Sequence, residues 1–462
     1  MRSTLRSVGC AGLWLMAAVT TGPAHAQGTA PASDTTECPK EVAAIATCYS
    51  AKHPSGAYLL AAIPNAWNGD LVVFAHGGPS VVPPTANTSK PDLAKYSFAV
   101  ERGFGWVASS FRREGYGVQM AVEDTEHARQ FFVERIRQPR RTILHGASYG
   151  GLVGAKLVEK QFKKADGSSA YDGAFFNSGL VIGAARAHDF RFDLRMVYQY
   201  YCKNLPRPDE PQYPLWNGLP AGAKVTLRDI QTLIDECTGL TMAADARSSQ
   251  QKQNLANILG VLRFPEALLL RHMQSATFLF REIAERTTGG RNAYSNVGVT
   301  YKGSTDDAAL NRDVARFTAD PAAIAALKAD GEPTGAISIP VISIHSINDP
   351  QVVVEVQTPY REAVNAAGNG ERLVQAYTDE RAHTQQSAPE LAASIEALMQ
   401  WIEQGKKPSP QSIATTCQRL RVDLDGPCRW HPEFVPKAYE TRYARGAAVA
   451  LTPVSAPPPR AQ

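Results

Sequence analysis

Beyond its first 26 positions the 462-residue chain has no apolar run approaching the ~20 residues that span a bilayer, so an embedded membrane protein is excluded. A dominant charge of one sign is also missing. Forty-eight basic residues face 44 acidic ones for a net charge of +4, and the count falls to +2 without Arg2 and Arg6. A balance that close to neutral argues against nucleic acid or an anionic membrane as an obligatory partner. Metal-ligand spacing is absent as well: there is no CxxC and no paired-histidine motif, so no metal site is expected. With 44% hydrophobic and 20% charged residues, the chain is also far from a disordered composition.

Residues 1–26 read as an export signal. Arg2 and Arg6 form a positive start, Gly12 to Val19 are mostly apolar, and Ala24-His25-Ala26 makes a small-x-small cleavage site. The mature chain is expected to begin near Gln27, in the periplasm or outside the cell. Six cysteines follow: Cys38, Cys48, Cys202, Cys237, Cys417 and Cys428. An even count in an exported chain suggests disulfides, and sequence proximity favours Cys38–Cys48, Cys202–Cys237 and Cys417–Cys428 among fifteen connectivities.

Short apolar runs recur along the chain: Ala57 to Ile63, Leu71 to Ala75, Gly105 to Ser109, Thr142 to Leu144, Gly173 to Asn177, Ile337 to Ile344 and Leu373 to Tyr377. Val/Ile/Phe runs without polar alternation are the signature of strands buried on both faces. Helical stretches alternate with them at Ala121 to Ile136, Tyr149 to Lys163 and Ala388 to Gly405. This predicts an α/β fold with a mostly parallel central sheet and helices on both faces. One long segment, 186–334, breaks the rhythm with helical patterns and few strand signals, so a large, mainly helical cap insertion is expected there. The expected division is a signal at 1–26, a catalytic domain at 27–185 and 335–440, the cap at 186–334 and a disordered Pro/Ala-rich tail at 441–462.

The sharpest local signal is Thr142-Ile-Leu-His-Gly-Ala-Ser148-Tyr-Gly-Gly151, a Gly-x-Ser-x-Gly pattern set between a strand and a helix. That context holds a serine on a strained turn, with helix N–H groups facing developing negative charge. Ser148 is the expected nucleophile, and a serine at rest needs a base oriented by a carboxylate. Asp349 lies just past the end of the strand at Ile344, and His383 lies on the loop after Leu373 to Tyr377; Asp379 is the rival acid. The order Ser148, Asp349, His383 is the one this fold class requires. His145 and His345, on or beside strands, are read as buried hydrogen-bonding residues. His76-Gly77-Gly78-Pro79 follows an early strand, where the amide of Gly77 or of Gly78 can join that of Tyr149 in holding an oxyanion.

On these residues the chain resembles the α/β-hydrolase superfamily, over about 57–185 and 335–405. The His-Gly-Gly-Pro and Gly-x-Ser-Tyr-Gly-Gly forms are similar to those of prolyl oligopeptidase-like and proline iminopeptidase-like enzymes. The resemblance implies a Ser148–His383–Asp349 triad working through an acyl-enzyme, with no cofactor and no metal. Iminopeptidases usually read His-Gly-Gly-Pro-Gly, whereas position 80 here is Ser80. Ester hydrolysis is therefore the first expectation, with cap aromatics such as Tyr198, Tyr200, Tyr201, Trp216 and Phe278 shaping an apolar pocket. The alternative is a secreted serine exopeptidase of the proline iminopeptidase or tripeptidyl aminopeptidase kind, in which Asp209, Glu210, Asp235 or Glu236 would grip a free amine. An inactive hydrolase-fold binding protein ranks third, because the triad order is intact. The expected partner is a small-molecule ester or a short peptide.

Overall fold

The computed structural model describes residues 34–439; the expected export signal at 1–26 and the expected disordered tail at 441–462 lie outside them. Nine strands form a single sheet: β1 Asp34–Thr36, β2 Ala46–Lys52, β3 Tyr58–Pro64, β4 Asp70–Ala75, β5 Gly105–Ser109, β6 Arg141–Ala147, β7 Gly173–Asn177, β8 Val341–Ser346 and β9 Leu373–Thr378. Their spatial order is β1-β2-β3-β5-β4-β6-β7-β8-β9. The first three strands and the β3–β5 pair run antiparallel; every pair from β5 to β9 is parallel.

The continuous apolar runs find their explanation in β4. All six of its residues are buried. Leu71, Val73 and Ala75 face one apolar layer, while Val72 and Phe74 face the other. Alternation along a strand sends successive side chains to opposite faces, so a sheet covered on both sides needs apolar residues at every position. Helices Val118–Arg135 and Tyr149–Lys160 cover the first face, and Ala388–Gln404 with Pro410–Leu420 cover the second. Trp106 of β5 is fully buried in that second layer.

Two elements precede the expected start of the sheet at Ala57: β1 and β2 extend it as an antiparallel edge. The apolar run from Ile337 becomes a strand only from Val341, because Pro340 has no N–H to offer a ladder. The helix after Ser148 stops at Lys160, where Gln161 turns left-handed with φ of 51°. Gly405 does cap its helix, at φ of 68°, donating its N–H to the Trp401 carbonyl.

Between β7 and β8 the described chain contains helices but no strand of the sheet: Asp189–Cys202, Leu227–Thr238, Ser249–Leu262, Leu269–Glu282, Asp307–Asp313 and Pro321–Gly331. Capping boxes start two of them, Thr226 with Asp229 and Ser248 with Gln251, and each satisfies two backbone donors that a helix start leaves open. The two ends of this excursion meet: Ala184 donates its N–H to the Gly331 carbonyl at 3.0 Å. Disulfides join Cys38 to Cys48, Cys202 to Cys237 and Cys417 to Cys428. Among the described residues no helix is long and apolar enough to cross a membrane.

Candidate active site

β6 delivers Ser148 to the C-terminal edge of the sheet, the edge where open parallel sheets place their functional groups. Ser148 has φ of 57° and ψ of −121°, a conformation that costs an L-residue of order 1–3 kcal/mol and persists only where neighbours enforce it. The enforcement is visible. Ser148 donates its N–H to the Asn177 carbonyl at 3.1 Å, and its own carbonyl accepts from Gly151 and Leu180, each at 2.9 Å. Glycine spacing makes the turn possible: a Cβ on Gly146 would lie 2.3 Å from the Gly150 carbonyl oxygen, and one on Gly150 would lie 2.0 Å from that of Ala75. The Ser148 hydroxyl does not cap the helix that it starts, and the residue lines a cavity of about 450 Å³.

Asp349 and His383 come together from the loops after β8 and β9. His383 Nδ1 and Asp349 Oδ2 are 2.7 Å apart, while Asp349 Oδ1 accepts from the N–H groups of Gln351 and Val352 at 2.9 and 3.0 Å. The Asp349 carboxyl is sealed from solvent. Burial pushes its pKa up, but His383, His345 and the Val352 amide outweigh that and hold it below the usual carboxylate range. With Nδ1 committed to Asp349, the opposite nitrogen of His383 is left for chemistry, and the residue shares the wall of the Ser148 cavity. Asp379 turns elsewhere, to His431 at 3.3 Å.

His145 and His345 are buried and hydrogen-bonded. His145 Nε2 meets Asn177 Oδ1 at 2.8 Å, and burial pushes its pKa down to about 4. His345 Nε2 donates to the Val352 carbonyl at 2.7 Å.

Gly77 and Gly78 close the cavity from the end of β4. A Cβ on Gly77 would sit 3.8 Å from that of Ser148, so this turn runs directly past the serine, and Tyr149 follows it in the helix. His76 pairs with Asp92, and both line the cavity.

The loop that carries His383 is clasped at its base. Glu390 accepts from the N–H groups of Ser387 and Arg429, at 2.8 and 2.6 Å. Glu380 is paired with Arg429 at 3.2 Å, and its second oxygen is buried without a partner. Burial, reinforced by the neighbouring Glu380, pushes the Glu390 carboxyl up to about 8. Cys428, beside Arg429, is tied by its disulfide to the helix Pro410–Leu420.

The insertion contributes residues that sequence reasoning missed. Arg271, Gln274 and Ser275, spaced i, i+3, i+4 on the helix Leu269–Glu282, form one wall of the cavity. Their spacing was legible, but a polar helix face reads first as a solvated one. The expected aromatic pocket is not formed: Tyr198, Tyr200, Tyr201, Trp216 and Phe278 are absent from the cavity wall and pack in or against the core. The four acids suggested for a free amine also lie elsewhere. Glu210 and Glu236 engage Arg207, Asp235 accepts from Thr241, and Asp209 is exposed.

No family model matches the sequence, and no curated protein does. Among solved structures the chain is similar to lipase A of Candida antarctica, with 11% identity, a TM-score of 0.45, and 89% of this chain and 87% of that one covered. Feruloyl esterase B of Aspergillus oryzae has 12% identity and a TM-score of 0.41 over 79% and 82% of the two chains. The esterase LipA of Xanthomonas oryzae has 11% identity and a TM-score of 0.37 over 82% and 90%. On its own strand order, parallel core and helical layers, the chain has the α/β-hydrolase fold.

Proposed function

We propose that the protein is an exported serine hydrolase that cleaves carboxylic esters through an acyl-enzyme. The observation that carries this reading is the 2.7 Å bond between His383 and Asp349 on the wall that His383 shares with Ser148. In the proposed cycle Ser148 Oγ attacks the ester carbonyl while His383 Nε2 takes its proton. Asp349 fixes the imidazole through Nδ1 and stabilises the imidazolium as it forms. The amide of Tyr149, with that of Gly77 or Gly78, holds the oxyanion, and the N-terminus of the helix behind Tyr149 adds favourable field. The alcohol leaves with the proton from His383. Water, deprotonated by the same nitrogen, then releases the acid and restores the serine. The reading needs no metal or cofactor.

The insertion from 186 to 334 is the cap in this reading, since its helix Leu269–Glu282 reaches the cavity. The signal at 1–26 and the disulfides support export to an oxidising compartment. An exopeptidase would need an acid in the cap to hold the free amine, and none of the four candidates lines the cavity.

The test pairs p-nitrophenyl esters with aminoacyl p-nitroanilides that have free N-termini, on wild type and Ser148→Ala. Ester turnover that disappears in Ser148→Ala, with the melting transition retained, is expected. Near-normal turnover by Ser148→Ala would mean another nucleophile, and anilide cleavage dependent on the free amine would make the protein a peptidase.

A further inference from the structure

Above its clasped base, the loop of His383 is held again on both flanks by side chains. On one flank Lys95 Nζ donates to Thr384 Oγ1 at 2.7 Å, and that hydroxyl donates to the His383 carbonyl at 2.7 Å. Thr384 has φ of 54°, a left-handed conformation that a β-branched residue keeps only where its neighbours enforce it. On the other flank come two glutamines. Gln385 is exposed, whereas Gln386 is turned inward and only 6% exposed.

The Gln386 amide is spent on the two residues at the end of β7. Its Nε2 donates to Ser178 Oγ at 3.2 Å, and its Oε1 accepts from Asn177 Nδ2 at 3.4 Å. Asn177 and Ser178 are fully buried, and Ser178 has φ of 49°. Both are tied into the site. The Asn177 carbonyl accepts the N–H of Ser148 at 3.1 Å, and its side-chain oxygen pairs with His145 of β6 at 2.8 Å. Ser178 donates its N–H to the carbonyl of Ile344 in β8, the strand that leads to Asp349. Gln386 therefore joins the loop of the histidine to the strand end that holds the turn of the serine. A shift of the loop would break both amide bonds where water does not replace them, so the pair favours one register of the loop.

We propose that Gln386 is a positioning residue: through Asn177 and Ser178 it sets the reach of His383 toward Ser148. It acts through the backbone of its own loop and lies outside the cavity wall. The proposal rests on the Ser148–His383 chemistry of the hydrolase reading and is indifferent to which ester is cleaved. Proton transfer between base and nucleophile requires hydrogen-bond reach, and a displacement of about 1 Å costs about 10²-fold in rate. Acylation and deacylation both use His383, so the two steps slow together and KM is spared.

Wild type, Gln386→Met, Ser178→Ala and the double variant are compared in two assays. Methionine keeps the bulk of glutamine and removes both bonds, while Ser178→Ala removes one of them from the other side and serves alone if Gln386→Met does not fold. The first assay is the rate of labelling by a fluorophosphonate. In that reaction Ser148 Oγ bonds to phosphorus, fluoride leaves and the serine proton passes to His383. The second is turnover of p-nitrophenyl butyrate. Gln386→Met should lower labelling and kcat together by about 10–100-fold with KM within about threefold, Ser178→Ala should lower both by less, and the double variant should be no worse than Gln386→Met. Wild-type labelling by Gln386→Met overturns the positioning role and leaves the hydrolase reading standing. Additive losses in the double variant, or a change in KM in place of kcat, overturn it likewise. Labelling that depends on Gln386 without turnover of the ester upholds the role and sinks the ester reading alone. A wild type whose Ser148 is not labelled overturns both.

Discussion

Raising the pH should loosen the base of the loop that holds His383, and Glu390→Gln should abolish that effect. Glu390 has no exposed surface and sits beside Glu380, and among the described residues Arg429 is the one positive partner of the pair. Its carboxyl is held up at about 8 against an ordinary 4.5. Between those values the folded chain keeps a proton that the unfolded chain has released, so stability is highest on the acid side of the window and falls as the pH rises through it. At 1.36 kcal/mol per unit the ceiling is roughly 5 kcal/mol, and relaxation of the turn with entry of water brings the working figure to about 2 kcal/mol. Glutamine mimics the protonated acid: its carbonyl still accepts an N–H from the turn, and its amide donates toward Glu380. Urea midpoints for wild type and Glu390→Gln, taken from about pH 5 to about pH 9, measure the difference directly. Wild type should lose about 2 kcal/mol more than the variant over that range. Parallel profiles would refute the reasoning, because the lost stability would then come from other groups.

Asp349→Asn should leave the fold in place and lower kcat by about 10³–10⁴-fold, since His383 Nδ1 loses the carboxylate that sets its tautomer; single-turnover kinetics on an active ester would show this. Gly150→Ala should destabilise by at least about 3 kcal/mol, because the new Cβ would fall 2.0 Å from the Ala75 carbonyl oxygen. Its thermal melt is the check, and a wild-type melt would mean that the elbow can relax. Removing the Cys202–Cys237 disulfide by a double change to serine opens a loop with a sequence separation of 35, worth about 4 kcal/mol in the chain-entropy account. That loss should appear in the urea midpoint and not in KM for a neutral ester.

Much of the site was legible because it is dictated locally. The glycines around Ser148 are forced by contacts with Gly150, Ala75 and Gly179, so their spacing survives as a readable pattern. Asp349 and His383 stand just past strand ends, and strand ends can be placed from apolar runs. The weakly patterned strand Ala46–Lys52 offered no such run, and only its neighbours on either side make it a strand. The helix Asp189–Cys202 was hidden for another reason: Asp193 and Arg195 are buried in it, which breaks the apolar stripe that would reveal it. Glu380, Gln386 and Glu390 look like ordinary surface residues in the sequence. Their meaning comes from burial beside particular neighbours, which no single segment records.

The hydrogen bond from Ala184 to the Gly331 carbonyl has a consequence for how such a protein can change over generations. The excursion returns to its point of departure, so β7 and β8 remain partners whatever the chain does between them. Doubling the length of such a detour costs only about 0.6 kcal/mol of closure entropy. The helical part can therefore be lengthened, trimmed or exchanged with little effect on the strand edge that carries Ser148, Asp349 and His383. On the proposed reading, residues that select the substrate and residues that break its bond are free to evolve on separate schedules.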